Sequence, residues 1–177
     1  AENQPGVVKR IAAAGHEIAS HGYGHVPLPR MTPESFRNDL RLSCDLLAQI
    51  TGKKVIGYRA ASWSLMRDEL WALEIMAEEG LEYDSSMFPT SLHAYGMPSS
   101  PLHPRRIRLK TGQSIVEFPA QLLSLGSLKI PAAGGFYLRA FPTMLSVWAL
   151  RQSERAGESG MVYLHPYDLD ADVPRLK

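Results

Sequence analysis

The stretch GHEIASHGYGH, residues 15–25, is the segment of this chain that decides its fold and chemistry. Its histidines His21 and His25 are four residues apart, and neutral imidazole nitrogens are good ligands for zinc and related divalent metals. Gly22 and Gly24 disfavour a regular helix here, so the pattern predicts a short strand that ends in a tight loop and directs both imidazoles at one point. Taken alone, the pair has a plainer interpretation: unrelated polar residues in a glycine-rich loop.

Three more short apolar runs are each followed by a charged or titratable residue. In α/β barrels the carboxyl ends of the strands form the rim on which catalytic groups collect. The pattern therefore predicts that these residues lie on the same rim as His21 and His25. The three residues are Arg59 after Tyr58, Asp84 after Tyr83, and His165 after Leu164.

The apolar periodicity predicts helices that alternate with short strands, which favours an α/β barrel over a sandwich. Residues 87–106 are rich in proline and histidine and predict a long loop. The predicted helices cover residues 5–15, 32–52 with Thr32 as the cap and Gly52 as the stop, 68–79 and 142–156. The predicted strands cover residues 54–58, a hairpin of 107–109 with 114–118, and 161–164.

Length and composition predict one domain over residues 1–177, because 177 residues that are 45% hydrophobic can bury a single core. The formal charge of +1 gives no reason to expect nucleic acid as a partner. No apolar run approaches the roughly 20 residues that span a bilayer, so we expect no membrane span. The single cysteine, Cys44, lies on an apolar helix face and is interpreted as a small core residue.

The ordered motifs GHEIASHGYGH, GYRAASWS, YDSSMFP, AAGGFYLR and YLHPYDLD extend over nearly the whole chain. With them the chain resembles the polysaccharide deacetylases, which carry the NodB homology domain and form carbohydrate esterase family four. It looks most like the branch associated with exosortase and exopolysaccharide loci. The resemblance implies a distorted (β/α) barrel. Three features depart from the family pattern: Gly22 replaces Ser or Thr, Ala61 stands where the arginine motif has Pro, and the N-terminal acidic pair is absent.

We therefore expect an N-terminally truncated domain, whose barrel is incomplete because the first strands and their acidic pair are missing. The resemblance implies a divalent metal, expected to be zinc, bound by His21, His25 and a carboxylate of that pair. It also implies that Arg59 pairs with the absent catalytic Asp. His165 is the candidate general acid, and Asp84 would hold and partly charge its imidazole. The expected reaction is hydrolysis of N-acetyl groups on amino sugars of a polysaccharide or oligosaccharide.

Each candidate has a plainer interpretation. Asp84 could cap a turn, Arg59 could be a structural ion-pair partner, and His165 could be a hydrogen-bonded core imidazole. Trp63 and Tyr23 flank the expected site and could stack on a sugar face, although aromatic residues near strand ends more often only pack.

Two other functions stay open: hydrolysis of another small amide or ureide, and a non-catalytic carbohydrate-binding role for a relative that lacks the catalytic Asp.

We expect the chain alone to be a poor enzyme and a weak metal binder. A homo-oligomer or a missing N-terminal segment is expected to cover the open sheet edge. We expect a protein of bacterial type and favour the cytoplasm over the periplasm as its compartment. The alternating Asp168, Asp170 and Asp172 are interpreted as a solvated loop.

Overall fold

The computed structural model of the chain describes residues 1–90, 96–132 and 134–169. Contacts divide the chain into two units, Ala1–Pro119 and Ala120–Lys177. Helices and strands occur in both units, so the fold is mixed α/β. The single domain over residues 1–177 stays a prediction.

The first unit contains three α-helices, α1 (Pro5–Ala13), α2 (Pro33–Thr51) and α3 (Trp71–Glu78). The predicted start and stop of α2 are confirmed. The Thr32 side chain accepts a hydrogen bond from the backbone N–H of Ser35, which satisfies one of the free donors at the helix start. Gly52 adopts φ of +70°, the left-handed conformation that ends a helix and that glycine enters without steric cost.

The sheet of the first unit has four strands: β1 (Gly57–Tyr58), β2 (Tyr83–Asp84), β3 (Arg105–Arg108) and β4 (Ser114–Glu117). Their order is β1-β2-β4-β3, with β3 antiparallel to β4 and the other pairs parallel. The predicted hairpin is confirmed. The strand predicted over 54–58 is shorter than expected, because parallel pairing with β2 extends only over Gly57 and Tyr58.

The core of this unit lies between α2, α3 and the sheet. Its fully buried side chains include Phe36 and Leu40 of α2, Met76 of α3 and Ile115 of β4. Cys44 packs against this core, and burial raises the pKa of its thiol to about 11. The interpretation of Cys44 as a core residue is therefore confirmed.

The second unit contains β5 (Leu122–Leu125), β6 (Leu128–Pro131), α4 (Gly135–Ala140) and α5 (Thr143–Arg155). The helix predicted over 142–156 is confirmed as α5, whereas the antiparallel β5–β6 hairpin has no counterpart in the predictions. The strand predicted over 161–164 appears as a single parallel bridge between Tyr163 and Gly134.

Neither sheet closes on itself in the described ranges. They form one four-stranded and one two-stranded sheet, so the barrel stays a prediction. Among the described helices, none has the length and apolar character needed to cross a membrane.

Candidate active site

The first unit brings three predicted site residues to one edge of its sheet. Ser20 pairs in parallel with Tyr58, which in turn pairs with Asp84 on β2. His21 and Arg59 directly follow Ser20 and Tyr58, so both leave the sheet at its carboxyl edge, where Asp84 ends β2. Two backbone hydrogen bonds fix this alignment: Arg59 N–H donates to the Ser20 carbonyl, and Ser20 N–H to the Gly57 carbonyl, each at 2.9 Å.

The two imidazoles lie beside each other. The ring centroids of His21 and His25 are 4.9 Å apart, with the planes at 73°. Nδ1 of His21 lies 2.6 Å from the Arg59 carbonyl oxygen. Because a carbonyl only accepts hydrogen bonds, Nδ1 carries the proton and Nε2 keeps the lone pair that a metal or a proton can take. His25 has φ of +51°, a left-handed conformation that is unfavourable for a non-glycine residue and is often found at functional sites.

Asp39 of α2 holds the loop between the two histidines. Its carboxylate accepts hydrogen bonds from the backbone N–H groups of Tyr23, at 2.9 Å, and Gly24, at 2.7 Å. Gly22 has φ of +75°, and a Cβ there would come within 2.9 Å of Asp39 Oδ2. The sequence analysis missed Asp39, because an acidic residue on the polar face of a helix gives no sign of which loop it contacts.

The histidine loop offers side chains of a type that binds divalent metals, but it offers few of them. His21 and His25 would hold the ion, because their rings are adjacent and His21 already has the tautomer that metal-bound imidazole adopts. Among the described residues there is no group of three or more His, Cys, Asp or Glu side chains that could hold a metal. The described chain therefore offers two ligands.

Arg59 and Trp63 pack together next to this edge. The Arg59 guanidinium donates from Nε to the Ser85 carbonyl at 2.9 Å and from Nη2 to the Ser85 hydroxyl at 2.7 Å. Its central carbon lies 4.8 Å from the centroid of the Trp63 ring, a cation–π distance. Trp63 is only 7% exposed and packs edge-on against Phe88, so it contributes packing here. Its role in sugar stacking stays a prediction.

A surface pocket of about 450 Å³ adjoins the histidine loop and has His21 and Tyr23 in its wall. The size lies within the usual range for small-ligand sites. Tyr23 is 46% exposed, and its hydroxyl donates a hydrogen bond to Glu2 at 2.7 Å. An exposed aromatic ring beside the imidazoles is consistent with the predicted stacking role, which stays a prediction.

Asp84 and Glu117 form a buried pair of carboxyl groups. They are register partners on β2 and β4, and both are 0% exposed. Asp84 Oδ1 accepts a hydrogen bond from the Ser86 hydroxyl at 2.5 Å, and Glu117 Oε1 accepts one from the Met87 N–H at 2.9 Å. Burial raises the pKa of both groups, and a hydrogen bond between their side chains favours the proton on Glu117. Glu117 was missed, although its place at the carboxyl end of a predicted strand was a usable signal.

His165 has its charged partners within the second unit. Its Nδ1 lies 3.3 Å from Oδ2 of Asp168, and the Tyr163 hydroxyl contacts Nε2. Asp168 is only 3% exposed in its side chain and also pairs with Arg139 at 2.7 Å. The hydrogen bond from the His165 backbone N–H is the largest cause of the lowered pKa of Asp168.

The interpretation of the Asp168 run as a solvated loop is wrong for Asp168 itself, because these contacts bury its carboxylate. Asp170 and Asp172 lie outside the described residues. A contact between Asp84 and His165 stays a prediction.

Fold and edge together define the class: an α/β protein whose polar and titratable side chains gather at the carboxyl ends of parallel strands. Residues 85–177, just over half of the chain, match the family model described as domain of unknown function (DUF3473). Residues 1–82 match the model described as polysaccharide deacetylase. The chain belongs to the DUF3473 family, and its first 82 residues are similar to the polysaccharide deacetylases. The match of residues 1–82 supports the predicted resemblance to the polysaccharide deacetylases, while the exosortase-locus branch stays a prediction.

Curated relatives and a solved structure are similar to the chain over part of their own length. The peptidoglycan deacetylase of Helicobacter pylori is 32% identical over 88 residues, which are 50% of this chain and 29% of that protein. The peptidoglycan-N-acetylglucosamine deacetylase of Bacillus cereus is 32% identical over 75 residues, 42% of this chain and 27% of that protein. The chain thus spans less than a third of the length of these curated relatives. A structure from Mycobacterium smegmatis assigned to the polysaccharide deacetylases has a TM-score of 0.63 at 24% identity, covers 94% of this chain and 55% of its own, and shows the shared fold.

Proposed function

We propose that this chain is part of a metal-dependent deacetylase, which hydrolyses N-acetyl groups on the amino sugars of a bacterial glycan. One observation carries the proposal: two adjacent imidazoles at a strand-end edge, in a chain segment that matches the polysaccharide deacetylases. The curated relatives that resemble this chain are peptidoglycan deacetylases, which supports an N-acetylated glycan as the substrate class.

In this proposal His21 and His25 hold a divalent ion, taken as zinc. A bound zinc ion lowers the pKa of coordinated water and polarises a carbonyl oxygen, which is the chemistry that amide hydrolysis needs. The Arg59 carbonyl fixes the His21 tautomer, so that Nε2 is the nitrogen that would bind the ion. Arg59 itself is held by Ser85 and Trp63, which keeps a positive charge at the edge where an anionic group would be oriented.

His165 provides the proton for the departing amine. Asp168 orients the imidazole, because its Oδ2 lies 3.3 Å from Nδ1 of His165. Because the Tyr163 hydroxyl contacts Nε2, a proton leaving from this nitrogen has to pass through that hydroxyl or displace it. A positioned acid of this kind contributes about 10²–10⁴ to the rate.

The test measures acetate released from N-acetylated chitin hexamers by the 177-residue chain with added Zn²⁺. Slow release is expected, since the described residues supply only two metal ligands. We expect His21→Ala to remove the activity and His165→Ala to reduce it by about 10²-fold or more. The matched control is His103→Ala, an exposed histidine outside the motifs, which leaves the rate unchanged. Two outcomes would contradict the proposal. Hydrolysis of a ureide without acetate release would favour the second enzyme function, and glycan binding without any hydrolysis would favour the non-catalytic one.

A further inference from the structure

We infer that Asp84 and Glu117 tune the candidate metal ligand His21 through a continuous chain of hydrogen bonds that passes through Ser86 and the peptide group between Arg59 and Ala60. The role assigned to Asp84 and Glu117 is positioning, since both act on His21 through Ser86 and a peptide group. The inference deepens the proposed function, on which the purpose of the tuned imidazole rests.

The chain of hydrogen bonds begins at the peptide group between Arg59 and Ala60, whose carbonyl and N–H both form hydrogen bonds. The carbonyl of Arg59 accepts from Nδ1 of His21 at 2.6 Å. The N–H of the same peptide, which belongs to Ala60, donates to the Ser86 hydroxyl oxygen at 2.7 Å. A peptide whose N–H is engaged by a strong acceptor has a more negative carbonyl oxygen, because consecutive hydrogen bonds polarise one another.

Ser86 connects this peptide to the buried carboxyl pair. Its hydroxyl accepts from Ala60 and donates its own proton to Oδ1 of Asp84 at 2.5 Å. All three groups are excluded from water, since Asp84 and Ser86 are 0% exposed and Ala60 is 1% exposed. In such surroundings a negative charge on Asp84 acts on Ser86 and on the Ala60 N–H with little screening by solvent, and the shared peptide group relays its effect to the exposed His21.

Glu117 determines whether the negative charge on Asp84 can exist there. One oxygen of each carboxyl group, Asp84 Oδ2 and Glu117 Oε2, finds no donor among the described groups, although both are buried. A single proton on Glu117, donated to Asp84, satisfies both oxygens and leaves one negative charge, which Arg59 at the same edge partly balances. Two unprotonated carboxylates in the same dry site would repel each other.

The consequence is that the His21 ring is held in one tautomer, with the proton on Nδ1 and none on Nε2. A strongly accepting carbonyl at Nδ1–H pushes electron density into the ring and favours the tautomer in which Nε2 is unprotonated. Within the described ranges this carbonyl contact is found for His21 and not for His25, so the inference concerns His21.

The test follows the imidazole nitrogens of His21 by ¹⁵N NMR in the metal-free 177-residue chain and then measures Zn²⁺ affinity by calorimetry. Ser86→Ala interrupts the chain of hydrogen bonds and should mix the two tautomers of His21 and weaken Zn²⁺ binding by about 10-fold. Glu117→Gln should keep the wild-type signals, because the amide can donate to Asp84 and accept from Met87 as the protonated acid does. The matched control is Ser100→Ala, a buried serine whose hydroxyl donates to the Met97 carbonyl away from this chain.

The inference is overturned if Ser86→Ala and Ser100→Ala give the same His21 nitrogen shifts and the same Zn²⁺ affinity. Should Ser86→Ala fail to fold, Asp84→Asn supplies the second arm: it removes the charge at similar volume and should also shift the His21 signals, and unchanged signals would overturn the inference. These readouts need no substrate. A failure of acetate release with the His21 shifts as expected would therefore count against the proposed function alone.

Discussion

At the scale of single residues, the proton on Glu117 links folding to pH. The pKa of Glu117 and that of Asp84 are raised by burial, so between about pH 4.5 and the raised pKa the native chain keeps a proton that the unfolded chain releases. The free energy of unfolding must then fall as the pH rises, by up to about 1.4 kcal/mol per pH unit for one proton. Tyr58 and Arg59 also face Asp84, and Arg59 lowers the pKa of Asp84 in part.

Glu117→Gln should remove this dependence, because an amide keeps its donor at every pH. We expect urea unfolding between pH 5 and pH 8 to give a falling stability for the wild type and a nearly flat one for the variant. Glu82→Gln, an exposed glutamate two residues before Asp84, serves as the control and should follow the wild type. Glu79 titrates outside this window, since hydrogen bonds from Arg41 and Arg37 lower its pKa and its contribution is lost only in more acidic solution. Parallel curves for all three proteins would show that the pair holds no extra proton.

A comparison of Gly22 with Gly52 separates the cost of a strained backbone from the cost of a steric contact. Gly52 and Gly22 have similar φ values, +70° and +75°, but a Cβ at Gly52 meets nothing within 4 Å, whereas one at Gly22 meets Asp39. Gly52→Ala should therefore cost about 1 kcal/mol of unfolding free energy from the left-handed backbone alone. We expect Gly22→Ala to cost about 1–2 kcal/mol more, because Asp39 must give up its hydrogen bonds to the loop. Equal losses in thermal unfolding would mean that the Asp39 contact is unimportant.

At the scale of elements, α2 acts on the site through one side chain. Asp39 accepts two backbone hydrogen bonds from the histidine loop, and hydrogen bonds to a charged group contribute about 1.5–3 kcal/mol each when well shielded. Because Asp39 is partly exposed, Asp39→Ala should lower stability by about 2 kcal/mol in total and speed amide exchange at Tyr23 and Gly24. Asp45→Ala on the exposed side of the same helix provides the comparison, and similar exchange rates in both variants would refute the role of Asp39.

The elements also show what the sequence can predict. Helix α2 was predictable because its cap, its apolar spacing and its terminal glycine are local signals, and α5 follows from the same logic. The order of His21, Arg59 and Asp84 along one edge was also predictable, since each follows a short apolar run. The sequence does not predict which side chains form hydrogen bonds with each other when one of the two comes from a distant element. Asp39 lies 16 residues from Tyr23, and Glu117 contacts Asp84 only through the register of two parallel strands.

At the scale of the whole molecule, the number of metal ligands limits affinity. The described residues bring together two imidazoles and no third donor, and tight zinc sites need a complete, supported set of ligands. Calorimetric titration of the 177-residue chain with Zn²⁺ should therefore show weak binding, which His21→Ala abolishes and His103→Ala leaves in place. Tight binding at one ion per chain would contradict this expectation and point to a donor beyond the described ranges.

The burial of Cys44 has a practical consequence for attaching spectroscopic labels to the chain. A thiol with a pKa of about 11 is almost entirely protonated at neutral pH, and maleimide reagents attack only the thiolate. Since Cys44 is the one cysteine of the sequence, a second cysteine introduced at an exposed position such as His103 would take a fluorophore or spin label selectively. The native sequence is therefore ready for site-specific spectroscopy without first removing its own thiol.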